Sequence, residues 1–238
     1  MRASHLTAAL GRPVLVFAEL DSTNRFARAA LQRGALGPGD VVVAEGQTAG
    51  RGRLGRSWEA QPGQNLLFSV LLAPKVPVAA APRCVLLWAA ALAEVAGLSL
   101  KWPNDLVSDQ DQKVGGLLAE LEVVDGAPYV VLGVGLNVNQ REFAGLPGAT
   151  SLARLRGGEL DREALLIALV EALDRVDVAG SLDPWRARAR TLGRRVRIGG
   201  VEGLATAIRE DGALLVDGVP ILTGDVELVA GDGAGAAG

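Results

Sequence analysis

The chain has 238 residues, 49% of them apolar and 21% charged, with a formal net charge of −3 at pH 7. This fits one large domain, or one large and one small, and excludes a disordered chain. The acidic balance argues against a protein that lives by phosphate-backbone contacts, and one Cys and one His exclude a disulfide framework and an ordinary Cys/His zinc site.

The N-terminal segment is expected to fray, so a Ser-His-Asp triad built on His5 is disfavoured. It lacks the basic start, apolar core and small-residue cleavage site of a signal peptide. The longest apolar run, Cys84 to Ala93, is too short to cross a bilayer. A cytoplasmic location without membrane contact is therefore expected. Val14 to Leu20 reads as a buried strand. Asp21 or Ser22 can cap the next helix, which carries Phe26, Ala29 and Ala30 and stops at Gly34. Asp40 to Gly46 is a second strand. Gln47 to Gln64 has neither helical nor strand period; loops of this length are usually functional or disordered. Asn65 to Leu72 is a strand, and Pro82 to Ala96 an Ala-rich helix ending at Gly97.

Leu98 to Asp105 is a short strand broken at Pro103, and Lys113 to Asn139 a hairpin turning at Asp125-Gly126. Asp161 caps a helix expected to reach about Val178, with Leu165, Leu166, Leu169 and Leu173 on one stripe. A further helix is expected from Pro184 to about Leu192. From Arg194 short strands alternate with turns, which predicts a small β-barrel-like appendage beyond a boundary near Gly193. The glycine-rich tail 231–238 is expected to be flexible.

Three segments carry the chemistry. Gly50-Arg51-Gly52-Arg53-Leu54-Gly55-Arg56 matches the glycine spacing of a dinucleotide fingerprint, but Ser57, Trp58, Pro62 and Gly63 follow where a helix is required. Arginines alternating with glycines suit close, bidentate grip of a phosphate or carboxylate. With Trp58 as a stacking surface, a single-stranded nucleic-acid grip is an alternative. Lys101-Trp102-Pro103-Asn104-Asp105 ends a strand, where α/β proteins present polar groups to ligands; a Lys101–Asp105 surface pair with a Trp102 core anchor is the structural alternative. Lys113 precedes Gly115-Gly116, and Gly133, Gly135 and Asn137 alternate along one strand, where glycine often marks a close approach. Ser22-Thr23-Asn24 is a helix cap that could also hold a polar ligand head.

In their order and spacing these motifs resemble the biotin protein ligases, also called biotin–acetyl-CoA-carboxylase ligases. The match rests on Ser22-Thr23 and Asn24, EGQTAGRGRLGRSW (Glu45 to Trp58), KWPNDLV (Lys101 to Val107), KVGGLLAE (Lys113 to Glu120) and GVGLNVN (Gly133 to Asn139). The resemblance implies an α+β fold: a class II synthetase-like mixed sheet with helices on one side over residues 1–192, then a small SH3-like β-barrel over 193–230. It implies a two-step reaction. Biotin and ATP give biotinyl-5′-AMP, and a lysine of a biotin carboxyl carrier protein then takes the biotinyl group.

By that resemblance Lys101, Arg51 and Arg53 are the catalytic cations. Ser22, Thr23, Asn24, Gln47, Gly50, Gly52, Gly115, Gly116, Leu117, Gly133 and Gly135, with the three cations, would surround biotin. Arg51, Arg53, Arg56, Trp58, Asn104, Lys113 and Asn137 would meet ATP, and Asp105 with Asn104 would organise Mg²⁺ held mostly by ATP phosphates. Some family members carry an N-terminal DNA-binding domain; here about a dozen residues precede the first strand, so a ligase without repressor function or DNA contact is expected. Homodimerisation through a sheet edge stays open. A lipoate or octanoate ligase is the nearest rival. Of 24 basic residues only Lys75, Lys101 and Lys113 are lysines, and two of these fall in the motifs, as compact point charges suited to phosphate oxygens.

Overall fold

In a computed structural model, residues 1–229 are described, and the tail expected at 231–238 lies outside them. The first element is one the sequence reading missed. Helix α1 (Ala3–Leu10) buries Leu6 completely and closes at Gly11 in the left-handed region (φ 64°). The start of the chain is held, not frayed: Glu163 accepts from the Arg2 backbone N–H at 2.6 Å, pairs with its guanidinium at 3.0 Å and lies 2.7 Å from His5 Nδ1. Arg2, above all, lowers the Glu163 carboxyl to about 2. These partners are remote in sequence, so no local pattern announces them.

The main sheet has seven strands in the order β1-β2-β3-β7-β6-β5-β4. They are β1 (Val14–Leu20), β2 (Val41–Gln47), β3 (Leu66–Leu72), β4 (Ser99–Lys101), β5 (Asp105–Val107), β6 (Lys113–Val124) and β7 (Ala127–Leu136). Only β1 and β2 run parallel, joined by α2 (Thr23–Gln32); the other neighbours are antiparallel. Asp125 (φ 50°) and Gly126 (φ 77°) make the tight turn between β6 and β7 as expected.

Helices cover both faces of this sheet, not one. Val41, Val43, Phe68 and Val70 pack in one core with α3 (Ala81–Ala96) and α5 (Arg162–Asp174), while Val42, Leu71 and Val131 pack with Ala27, Ala30 and Leu31 of α2. The interior strand β3 carries apolar side chains on both sides, Ser69 apart, so each side must be covered. The stretch Val78–Ala96 is long and apolar enough to cross a membrane, beyond the run read from sequence; here Cys84, Leu86, Trp88 and Leu92 of α3 are core residues.

Two helices end earlier than expected. Helix α5 stops at Asp174, because residues 177–180 form a turn whose carbonyls at Val178 and Ala179 accept from Arg83. The helix expected from Pro184 to Leu192 is only α6 (Asp183–Arg186). Its continuation runs along β4 instead, with Leu100 N–H donating to Arg188 O at 2.8 Å and Arg190 N–H to Leu100 O at 2.7 Å. Before α5, the short helix α4 (Leu152–Arg156) is capped by Ser151. The polar Ser108–Gln112 segment is a tight turn: Ser108 N–H donates to Gln112 O, Asp111 takes φ 63°, and its carboxylate pairs with Arg190 and Arg194.

A second, wholly antiparallel sheet follows, in the order β11-β10-β9-β8-β12. Its strands are β8 (Arg195–Ile198), β9 (Val201–Ile208), β10 (Leu214–Val216), β11 (Val219–Ile221) and β12 (Glu227–Leu228). Val196, Ile208 and Leu214 continue the main core without a break. Trp102 joins the two parts, its indole N–H donating to Gly212 O at 3.0 Å.

Candidate active site

A cleft of about 280 Å³ opens on the α2 side of the main sheet. Its floor is a closed polar network. Ser22 caps α2, accepting from Arg25 N–H. Gln47 Oε1, at the end of β2, accepts from Thr23 N–H at 2.8 Å and Thr23 Oγ1 at 3.2 Å. Ser69 of β3, fully buried, sets its hydroxyl 2.8 Å from Thr23 Oγ1 and 2.7 Å from Asn24 Oδ1. Asn24 Nδ2 donates to Leu118 O and to Glu120 Oε2. Across the sheet Gly133 pairs with both Ser69 and Leu118. A Cβ there would lie 2.4 Å from Asn24 Oδ1, so glycine is needed for Asn24 to reach the floor.

The long loop after β2 folds back on itself. Arg51 and Ser57 form an antiparallel bridge, Gly52 N–H donates to Arg56 O at 2.7 Å, and Trp58 N–H to Gly50 O at 2.9 Å. Trp58 then lies on Gly135, where a Cβ would come within 2.5 Å of the indole. Its buried Nε1 has no hydrogen-bond partner among the described residues, and Lys113 Nζ stands 5.7 Å from the ring centroid. Lys113 also pairs with Asp105 Oδ1 at 2.7 Å, while Lys101 Nζ is 3.6 Å from Asp105 Oδ2. One carboxylate thus spaces two ammonium groups.

Arg53 reaches towards the second sheet. Its guanidinium donates to Asn104 Oδ1 at 3.2 Å and Gly224 O at 3.3 Å, and Asp225 takes Arg56 at 2.7 Å. Burial pushes the Arg53 guanidinium below its ordinary value, opposed by Asp225 and Asp105; an arginine nevertheless keeps its charge. The lining therefore carries four cations, Arg51, Arg53, Arg56 and Lys113, against the carboxylate of Glu59. A neutral hydrogen-bonding floor with a cationic mouth suits a ligand with a polar head and an anionic end.

The sequence signature of the Biotin/lipoate A/B protein ligase family matches residues 16–137. The Biotin--[acetyl-CoA-carboxylase] ligase of Mycobacterium tuberculosis is 39% identical over 227 residues, covering 87% of this chain and 84% of that protein. The chain belongs to the biotin protein ligases. The bifunctional ligase/repressor BirA of Bacillus subtilis is 31% identical, over 93% of this chain and 76% of its own length. The biotin protein ligase of Aquifex aeolicus, solved in complex with biotin and ATP, superposes with a TM-score of 0.73 at 31% identity, over 91% of this chain and 98% of that one.

Most residues picked from the ligase motifs converge on the cleft. Ser22, Thr23, Asn24, Gln47, Arg51, Gly52, Arg53, Arg56, Trp58, Asn104, Lys113, Gly116, Leu117, Gly133, Gly135 and Asn137 all line it. Lys101, Asp105, Gly50 and Gly115 stand outside the lining. Packing accounts for both of those glycines: a Cβ on Gly50 would meet Trp58 O at 2.4 Å, and one on Gly115 would meet Gly135 O and the side chains of Leu136 and Leu106. The amide of Asn137 donates to Thr150 O at 3.0 Å.

Several contributors escaped the sequence reading. Ser69 had a faint signal, the one hydroxyl in an otherwise apolar strand. Phe143, Leu146 and Ala149 line the cleft because their segment is pinned beside β6, with Lys113 N–H donating to Gly148 O. Gly224 and Asp225 lie some 170 residues from the loop they touch, and nothing local points to them. Gly133→Ala should raise the KM for biotin at least about tenfold by displacing Asn24, and should also lower the melting temperature, because the fully buried Ser69 then loses a hydrogen-bond partner. Steady-state kinetics at saturating ATP checks this.

Proposed function

We infer that this chain activates biotin with ATP and passes the biotinyl group to a lysine of a biotin carboxyl carrier protein. A biotin carboxylate oxygen attacks the α-phosphorus, and pyrophosphate leaves. The carrier lysine amine then attacks the acyl carbon of biotinyl-5′-AMP; AMP leaves and the amine gives up a proton. The observation carrying this reading is a single cleft with a neutral polar floor at one side and four cations around it. Both steps gather negative charge on phosphate oxygens, which fixed cations stabilise.

In this reading Ser22, Thr23, Asn24 and Gln47 hold the ureido head of biotin, and Arg51 and Arg53 meet its carboxylate and the adenylate phosphate. Lys101 works between carboxylate and α-phosphate, Arg56 and Lys113 on nucleotide phosphates, and Trp58 and Asn137 at the adenine. Residues 1–192 act as the catalytic domain and 193–230 as an SH3-like module; five short antiparallel strands support the latter. The chain works in the cytoplasm without DNA binding, and homodimerisation would use the edge of β1, since β4 is already paired with the segment after α6. The described residues do not gather a cluster of protein ligands for Mg²⁺: Asp105 is committed to two lysines, and no group of three or more metal-binding side chains occurs among them. Any Mg²⁺ is proposed only as the counter-ion of ATP.

Biotin-dependent exchange of pyrophosphate into ATP tests the first step. Mass spectrometry of a carrier protein, for one biotinyl group added only when ATP is present, tests the second. Exchange with lipoate and none with biotin would overturn the reading.

A further inference from the structure

On the α2 side of β6, Glu120 and Glu122 face a stripe of α2 formed by Asn24, Arg28 and Gln32, spaced one helical turn apart. Arg28 Nε lies 2.5 Å from Glu122 Oε1 in poor hydrogen-bond geometry, and Gln32 Nε2 donates to Glu122 Oε2 at 2.9 Å. Glu120 is the hub. Its Oε2 accepts from Asn24 at 2.8 Å; its Oε1 accepts from Arg28 at 3.1 Å and from Arg51 of the glycine-rich loop at 3.0 Å. Two arginines thus balance two carboxylates.

The two arginines are not equivalent. Arg28 sits on a helix. Arg51 sits on the loop, its side chain 42% exposed, and Glu120 is its only polar side-chain partner among the described residues. We propose that Glu120 is a positioning residue for the ligase reaction: it holds the Arg51 guanidinium at the mouth of the cleft until the anionic group of the substrate or the acyl-adenylate takes it over. The exchange strands no charge, because Glu120 retains Arg28 and Asn24 when Arg51 leaves. A half-exposed ion pair is weak enough to give up, and an arginine grips a carboxylate or phosphate in bidentate fashion. The inference rests on the ligase reading of the cleft.

Trypsin supplies the test, since it cuts after Arg51, Arg53 and Arg56. Glu120→Gln keeps an oxygen for Asn24 and removes the charge that holds Arg51, while Arg28, the other arginine on Glu120, keeps the Glu122 carboxylate. In the ligand-free enzyme it should raise the rate of cleavage within 51–56 about fivefold, the order expected for one such ion pair. At saturating biotin and ATP its rate should return to the wild-type value, and Glu120→Asp, which keeps the charge, should stay within about twofold of wild type throughout. Equal cleavage of ligand-free Glu120→Gln and wild type would overturn the proposal. An increase that persists with ligands would also overturn it, because it would mark general loosening of α2 against β6. If biotin and ATP fail to protect the wild-type loop, the reading of the cleft fails first, and this proposal with it.

Discussion

Lys101→Ala is expected to lower biotin-dependent ATP–pyrophosphate exchange by about 10²–10³-fold, the usual loss when one fixed donor to a developing oxyanion is removed. The fold should survive. Lys101 sits at the end of β4, its side chain about one-quarter exposed, and its carboxylate partner Asp105 keeps Lys113 at 2.7 Å. No buried charge is therefore left alone, and the loss should appear in turnover and not in stability. Lys101→Arg should recover little, because a planar guanidinium cannot reproduce a compact ammonium at this spacing. Exchange kinetics beside a thermal melt separates the two effects, and undiminished exchange would remove Lys101 from the mechanism.

Trp102→Ala, one residue away, should do the opposite and cost about 3–5 kcal/mol of stability, as for other fully buried aromatic side chains. The indole is 1% exposed, fills the junction between the two sheets and donates to Gly212 O. In a chain of this length that should lower the melting temperature by about 10 °C. Trp102→Phe should cost about 1–3 kcal/mol, because it keeps most of the ring volume but leaves a buried carbonyl unpaired. Differential scanning calorimetry distinguishes them; a melting temperature unchanged in Trp102→Ala would show that the junction does not depend on this side chain.

These neighbours show how far the sequence could be read. Both halves of the structural explanation weighed for the Lys101–Asp105 segment are present: Trp102 is a core anchor, and Lys101 does pair with Asp105. The pairing is shared with Lys113, which turns a plain surface bridge into a spacer between two cations beside the cleft. The glycines divide in a way the motif could not show. Gly133 and Gly135 make room for Asn24 and Trp58 at the cleft, whereas Gly50 and Gly115 make room for backbone and core. A glycine in a sequence announces a close approach but not what approaches.

Periodicity, caps and turn residues determined the individual elements: the strands from Val14 to Leu72, the cap at Ser22, the stop at Gly97 and the turn at Asp125-Gly126. Each depends on residues within a few positions of one another, so local preference suffices. Motif spacing also brought out most of the cleft residues. Tertiary structure decided what depends on distant partners. It anchored α1 through Glu163, placed α2 opposite α3 and α5, and ended the segment after α6 by pairing it with Leu100. It also brought Glu120 to Arg51 and Asp225 to Arg56. Those contacts join residues tens to more than a hundred positions apart, and only the closing of the chain around a common core creates them.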